Sequence, residues 1–225
     1  MVFISHGLLA YYFRNKNQTI ISREKESNFW LIFLFCDMKT TRNKLPIKVD
    51  NQLKQLDIEL IELLKILKDY SEKTLNKKPG QNKWSVIQVM NHLILVEGYG
   101  KSYVEKKLSF NPKLQKAGIG GTWRKFIMST IVKFPFKIKA PDLVTGDNLP
   151  VESGFWETAK KWKQQREELR TFLEAIPQEH FNKELYKHPL AGKMSLYGLM
   201  DFNVAHFKRH KKQINKILEK SFKIN

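Results

Sequence analysis

Residues 83–108 read KWSVIQVMNHLILVEGYGKSYVEKKL, and this stretch decides the fold. Ser85 is placed to cap a helix, Gln88 three residues on can reach back to the cap, and Trp84 is set to pack on Val89 as a staple. The pattern predicts a helix from about Val86 to about Leu108. Its inward stripe, spaced at three and four, takes in Val89, His92, Val96, Tyr99 and Tyr103. One member of that stripe, His92, is an imidazole where hydrocarbon is the rule.

Working outward, Leu53, Leu56, Leu60, Leu63, Leu64 and Leu67 recur at helical spacing between about Asp50 and Leu75, with Lys and Glu between them. NKKPG at 76–80 breaks that helix. Downstream, residues 109–152 are punctuated by Pro112, Gly118, Gly120, Gly121, Pro135, Pro141 and Pro150, the mark of a long connection. Within it TWRKFIMSTIVKF, 122–134, predicts a short amphipathic helix with Trp123, Phe126, Ile127 and Ile131 on one side, read as a flap over the domain. A third long helix lies in GFWETAKKWKQQREELRTFLEAIP, 154–177, with Trp162, Leu169, Phe172 and Ile176 apolar and Pro177 at its end. The last runs from about Leu196 to Leu218, with Ser195 as its cap and Met194 stapled to Leu199. Four long helices and no convincing strand predict an all-α four-helix bundle with one long crossover between the second and third helices.

The composition sets outer bounds. The length of 225 residues suits one core, and 42% hydrophobic with 28% charged residues suits a globular chain. Forty Lys and Arg against 22 Asp and Glu leave a net charge of +18, a field that attracts anions. No arginine-rich block, RNP-type aromatic strand or zinc-finger spacing accompanies it, so the charge reads as a lysine-rich solvated surface rather than a nucleic-acid interface. The single cysteine, Cys36, forms no intramolecular disulfide and points to a reducing, cytoplasmic setting. Thiolate ligands and thiol nucleophiles are thereby excluded from everything after it. Residues 1–37 read apart from the rest. Their apolar run, Phe29 to Cys36, is far short of the roughly 20 residues that cross a bilayer, and Glu24, Glu26 and Asp37 spoil a signal peptide. The native protein is expected to start at Met38, making 38–225 the domain and 1–37 an extension; a short membrane-touching leader is the rival reading.

On the last helix the inward stripe passes through Leu199, Phe202, His206, His210, Ile214 and Ile217. Histidines at i and i+4 stand one above the other, about 6 Å apart at Cβ, from where two rings can converge on one cation. A third ligand is needed, and His92 is the candidate. By spacing alone such inward histidines are more often hydrogen-bonded core residues than metal ligands. Lys208, Arg209, Lys211 and Lys212 also oppose a bound cation unless they point outward.

NKWSVIQVMNHL, 82–93, followed by HPLAGKMSLYGLMDFNVAHFKRHKKQI, 188–214, resembles the DinB/YfiT-like superfamily of four-helix, metal-dependent proteins. That family pairs a Trp-Ser helix start leading to a first His with a His-x-x-x-His pair on the last helix, before a Lys-Gln-Ile-like end. The resemblance implies a divalent ion, zinc, nickel or iron, on His92, His206 and His210. It further implies a small-molecule substrate, an activity of hydrolysis or of transferring a low-molecular-weight thiol, and a homodimer. Imidazole serves several transition metals alike, so the ion's identity stays open. The basic charge, the 109–152 connection and residues 1–37 have no counterpart in the family pattern.

Hydrolysis calls for a carboxylate base beside the open coordination position. Glu97 points off the His92 face and Asp201 is out of line with His206, so the reading leans to thiol transfer. Asn203, one turn before His206, and Tyr99, two turns beyond His92, are candidates to orient a ring or hold substrate. His188 is expected in the turn entering the last helix, and His180 and His6 have no supporting context. A non-catalytic helical binding protein, its basic surface turned to an acidic partner or a membrane, is the alternative.

Overall fold

The computed structural model describes residues 43–117, 149–189 and 191–222. The expected domain start at Met38, the extension 1–37 and the flap helix at 122–134 lie outside the described residues. The elements are α1 (Ile47–Leu67), α2 (Glu72–Asn76), α3 (Val86–Ser109), α4 (Phe155–Glu174), a 3-10 turn (Gln178–His180), β1 (Tyr186–His188), β2 (Gly192–Met194) and α5 (Leu196–Phe222). The four long helices α1, α3, α4 and α5 form the bundle that the sequence predicts. Around it α1 packs on α5, α5 on α3, α3 on α4, and α4 on α1. Placing α5 beside α3 brings the last helix's stripe against that of the second long helix.

Helices α1, α3 and α5 are built from the expected devices. At α3 the capping box is complete: the Gln88 amide donates to Ser85 Oγ at 3.2 Å, and the Ser85 amide donates to Gln88 Oε1 at 3.1 Å. At α5 the Gly198 amide donates to Ser195 Oγ at 3.2 Å. All six predicted leucines of α1 are buried, together with Val49. Fully burying such a side chain stabilises by about 1.5–3 kcal/mol, so this stripe anchors α1 to the bundle.

Two expectations are corrected. The first helix stops at Leu67 rather than about Leu75, because Ser71 opens a new short helix whose cap bond runs from the Thr74 amide to Ser71 Oγ at 3.2 Å. That helix, α2, in turn caps another. The Glu72 carboxylate accepts from the Phe155 amide at 2.9 and 3.0 Å, at the start of α4, which has no side-chain cap of its own. The second correction is a β-hairpin where no strand was expected. Tyr186 pairs with Met194, Lys187 with Lys193 and His188 with Gly192, and Gly192 takes φ 72°, a conformation suited to glycine. The hairpin packs on α3 and α5.

The interior also holds charge. Arg166 and Glu97, 4% exposed each, meet across α4 and α3, with Nη2 donating to Oε1 at 2.8 Å. Trp162 Nε1 donates to the same carboxylate at 3.3 Å. Among the described residues no helix is long and apolar enough to cross a membrane.

Candidate metal centre

His92 enters from α3, His206 and His210 from successive turns of α5. Their Nε2 atoms converge: His92 to His206 is 3.4 Å, His210 to His206 is 3.1 Å, and the ligating atoms of all three lie within 4.8 Å of one another. Nitrogens bound at about 2.0–2.1 Å around a tetrahedral ion stand about 3.3 Å apart, so two of the three separations already match such an ion. The chemistry of the donor set argues the same way. Three imidazole nitrogens this close direct lone pairs at one another unless a proton or a cation lies among them. The cluster is therefore compatible with a divalent ion.

The surroundings keep His206 and His210 neutral. His92 and His210 are buried and His206 is half-buried. Burial, and then the neighbouring His210 and His92, hold His206 well below the ordinary histidine range. Burial first and His92 next push His210 down to about 3, against the opposing pull of its hydrogen bond to Gln213. A neutral imidazole is the form that ligates a metal, so proton competition at neutral pH is slight. Aromatic rings frame the cluster: Phe202 stacks on His206 with centroids 5.0 Å apart, and Trp84 lies 4.8 Å from His92.

The cationic flank of α5 is largely turned away. Lys208 reaches Glu59 on α1, and Lys211 reaches Glu59 and Glu62. Arg209 is the exception, since its charge is felt at both His206 and His210.

The two carboxylates considered as bases are committed elsewhere. Glu97 is not merely off the His92 face but locked to Arg166 and Trp162. Asp201 takes Lys48 at 2.7 Å and Gln52 at 2.7 Å, tying α5 to α1. Of the two orienting candidates, Asn203 is 3% exposed and its Oδ1 has no hydrogen-bond partner among the described residues. Tyr99 is 40% exposed, so the inward stripe of α3 loses that member, and Val96 and Tyr103 are only partly buried. Beyond Glu97 it is Gly100 and Val104, not Tyr99, that carry the buried face of α3.

His188 corrects the expectation of a turn residue. It sits on β1, buried, its Nδ1 accepting from the Ala191 amide at 3.1 Å, and burial holds it down to about 4. Its ring lies 4.7 Å from Phe202, the ring that stacks on His206, so the hairpin closes one wall of the site. Nothing short of the tertiary structure signals that role. His180 ends the 3-10 turn, and His6 lies outside the described residues. Sequence reading met Gln213 only within the Lys-Gln-Ile-like end and missed its role: its Oε1 lies 2.8 Å from His210 Nδ1. Its signal was available: it stands three positions after a candidate ligand on the same helix.

A helical bundle with three inward histidines shared between two helices defines the class of fold and site. The chain belongs to the DinB superfamily, whose sequence model matches residues 55–214, a span that includes all three histidines. It is similar to the uncharacterized protein YuaE of Bacillus subtilis (strain 168), 24% identical over 157 residues that cover 68% of this chain and 89% of the relative. No solved structure gave a significant match.

Proposed function

We propose that the protein is a metal-dependent enzyme in which His92, His206 and His210 hold a divalent ion and a low-molecular-weight thiol is activated there for transfer to a small electrophile. The observation that carries this reading is the meeting of three Nε2 atoms, at 3.1 and 3.4 Å for two of the pairs, between α3 and α5. A divalent ion on three neutral imidazoles keeps its full charge and supplies Lewis acidity, which favours the ionised form of a thiol or a water beside it. The chain's residues supply the rest: burial keeps His206 and His210 unprotonated, Gln213 holds His210, and Phe202 and Trp84 pack against His206 and His92.

Hydrolysis is the second reading, and it needs a proton acceptor at the site. Glu97 and Asp201 are occupied by Arg166 and by Lys48 with Gln52, which favours the thiol, an acid that the Lewis-acidic site ionises without a partner base. A cytoplasmic setting, where small thiols stay reduced, suits that substrate.

The test starts with protein purified without a nickel column. Elemental analysis is expected to find close to one transition-metal ion per chain in the wild type and a small fraction of that in His206→Ala. Loaded wild type, and not the variant, is expected to speed conjugation of a small thiol to a fluorogenic alkyl halide. A wild type that takes up neither zinc, nickel nor ferrous iron, with an unchanged melting temperature, overturns the reading. Salt-sensitive binding of an acidic polymer by such a metal-free protein would instead support a binding role for the +18 charge.

A further inference from the structure

An imidazole ligates through a nitrogen that carries no proton, and the other nitrogen must then carry it. For His210 the ligating atom is Nε2, which faces His206 Nε2 at 3.1 Å. The proton belongs on Nδ1, and something must hold it there, because a free imidazole exchanges between tautomers. Gln213 lies one turn along α5, half-buried, with its carbonyl oxygen 2.8 Å from His210 Nδ1. A carbonyl oxygen only accepts, so this contact is satisfied by the Nδ1–H tautomer alone.

From this geometry we infer that Gln213 is a positioning residue: it fixes His210 in the Nδ1–H tautomer and aims the Nε2 lone pair into the three-histidine cluster. The consequence for a bound ion rests on the reading proposed above; the tautomer itself does not. A neutral amide suits this role because it orients the ring without adding a negative charge to the site. Losing an outer hydrogen-bond partner of a metal-ligating histidine typically lowers metal affinity 10–100-fold.

Long-range 1H–15N correlation spectra of the full chain, metal-free at neutral pH, report the tautomer of each histidine. Wild type is expected to show His210 as Nδ1–H, Gln213→Leu to show a mixture or the Nε2–H form, and Gln213→Glu to retain the wild-type pattern through its carboxylate oxygen. In a zinc competition titration Gln213→Leu is expected to bind 10–100-fold more weakly than wild type, and Gln213→Glu at least as tightly as wild type. Circular dichroism with a cooperative melt verifies that each variant is folded. A wild-type His210 in the Nε2–H form, or a Gln213→Leu spectrum identical to wild type, overturns the inference. Should wild type bind no ion, the enzyme reading fails while the spectra still decide the role of Gln213.

Discussion

Replacing Glu97 by Leu separates a structural carboxylate from a catalytic one. The side chain is 4% exposed and so is its partner Arg166. In wild type the carboxylate accepts from Arg166 Nε and Nη2 and from Trp162 Nε1. Without it, among the described residues, the guanidinium keeps Asp57, at 3.5 Å and itself 38% exposed, plus the faces of Trp162 and Phe207 at about 6 Å. Removing one member of a buried pair costs about 3–5 kcal/mol, because the other charge remains buried and uncompensated. A domain of this size is stable by about 5–15 kcal/mol, so Glu97→Leu removes roughly 30–50% of a mid-range margin. Urea unfolding followed by circular dichroism should show the midpoint falling accordingly. The double variant Glu97→Leu/Arg166→Met should recover most of the loss, since hydrocarbon in place of both charges is close to neutral. Thiol conjugation per folded, metal-loaded molecule should be unchanged in the double variant. Full stability in Glu97→Leu together with abolished conjugation would refute the assignment and make Glu97 part of the chemistry.

Acid should weaken the metal-free fold before most carboxylates titrate. His188 and His210 resist protonation in the native state down to about 4 and about 3, while in the unfolded chain they protonate near the ordinary 6.5. The unfolded chain thus binds more protons below pH 6.5, so the stability is complete above that pH and is lost as pH falls. Between pH 6.5 and 5 the loss is at most about 2 kcal/mol for each of the two, and a flat urea midpoint from pH 7.5 to 5 would contradict it. His92→Leu is expected to keep metal-free stability within about 1 kcal/mol, because hydrocarbon of similar size replaces a ring 3% exposed. The same variant should lose metal-dependent stabilisation; a loss of metal-free stability above about 1 kcal/mol would mean that His92 is chiefly a packing residue.

The long elements were legible because their signals are local. Ser85 and Gln88 specify the start of α3, and the leucines of α1 specify its buried face, with no knowledge of the rest of the chain. His92, His206 and His210 were legible as departures from that pattern, polar residues at positions that a plain bundle gives to Leu or Ile. The hairpin was not legible: strands of three residues are too short for a period-two signal, and Tyr186–His188 alternates buried and exposed over only one repeat. Tyr99 was misplaced because the stripe was extended at three and four past Glu97, where the ion pair with Arg166 shows that α3 already turns a different face to α4. The end of α1 was missed because Ser71 reads as one more polar residue until its hydroxyl is seen accepting the Thr74 amide.

The same departures bear on how so basic a chain could hold the ion proposed above. A bound cation suffers from nearby positive charge in proportion to how little solvent and counter-charge intervene. On α5 Lys208 and Lys211 answer to Glu59 and Glu62 of α1, which takes their charge to the face away from α3. Between α3 and α4 the buried Arg166 is neutralised by Glu97. After burial and the neighbouring histidines, the charge of Arg209 is also felt at His206 and His210, on rings whose protonation burial already disfavours. Field and burial both disfavour the proton; a divalent ion would feel the same field twice as strongly, and only the three ligands gained at once would offset it. Glu59, Glu62, Glu97 and Asp201 are all engaged with the bundle's own cations. None of these four carboxylates faces the cluster, so under the proposed function an incoming thiolate would be the counter-charge for the ion.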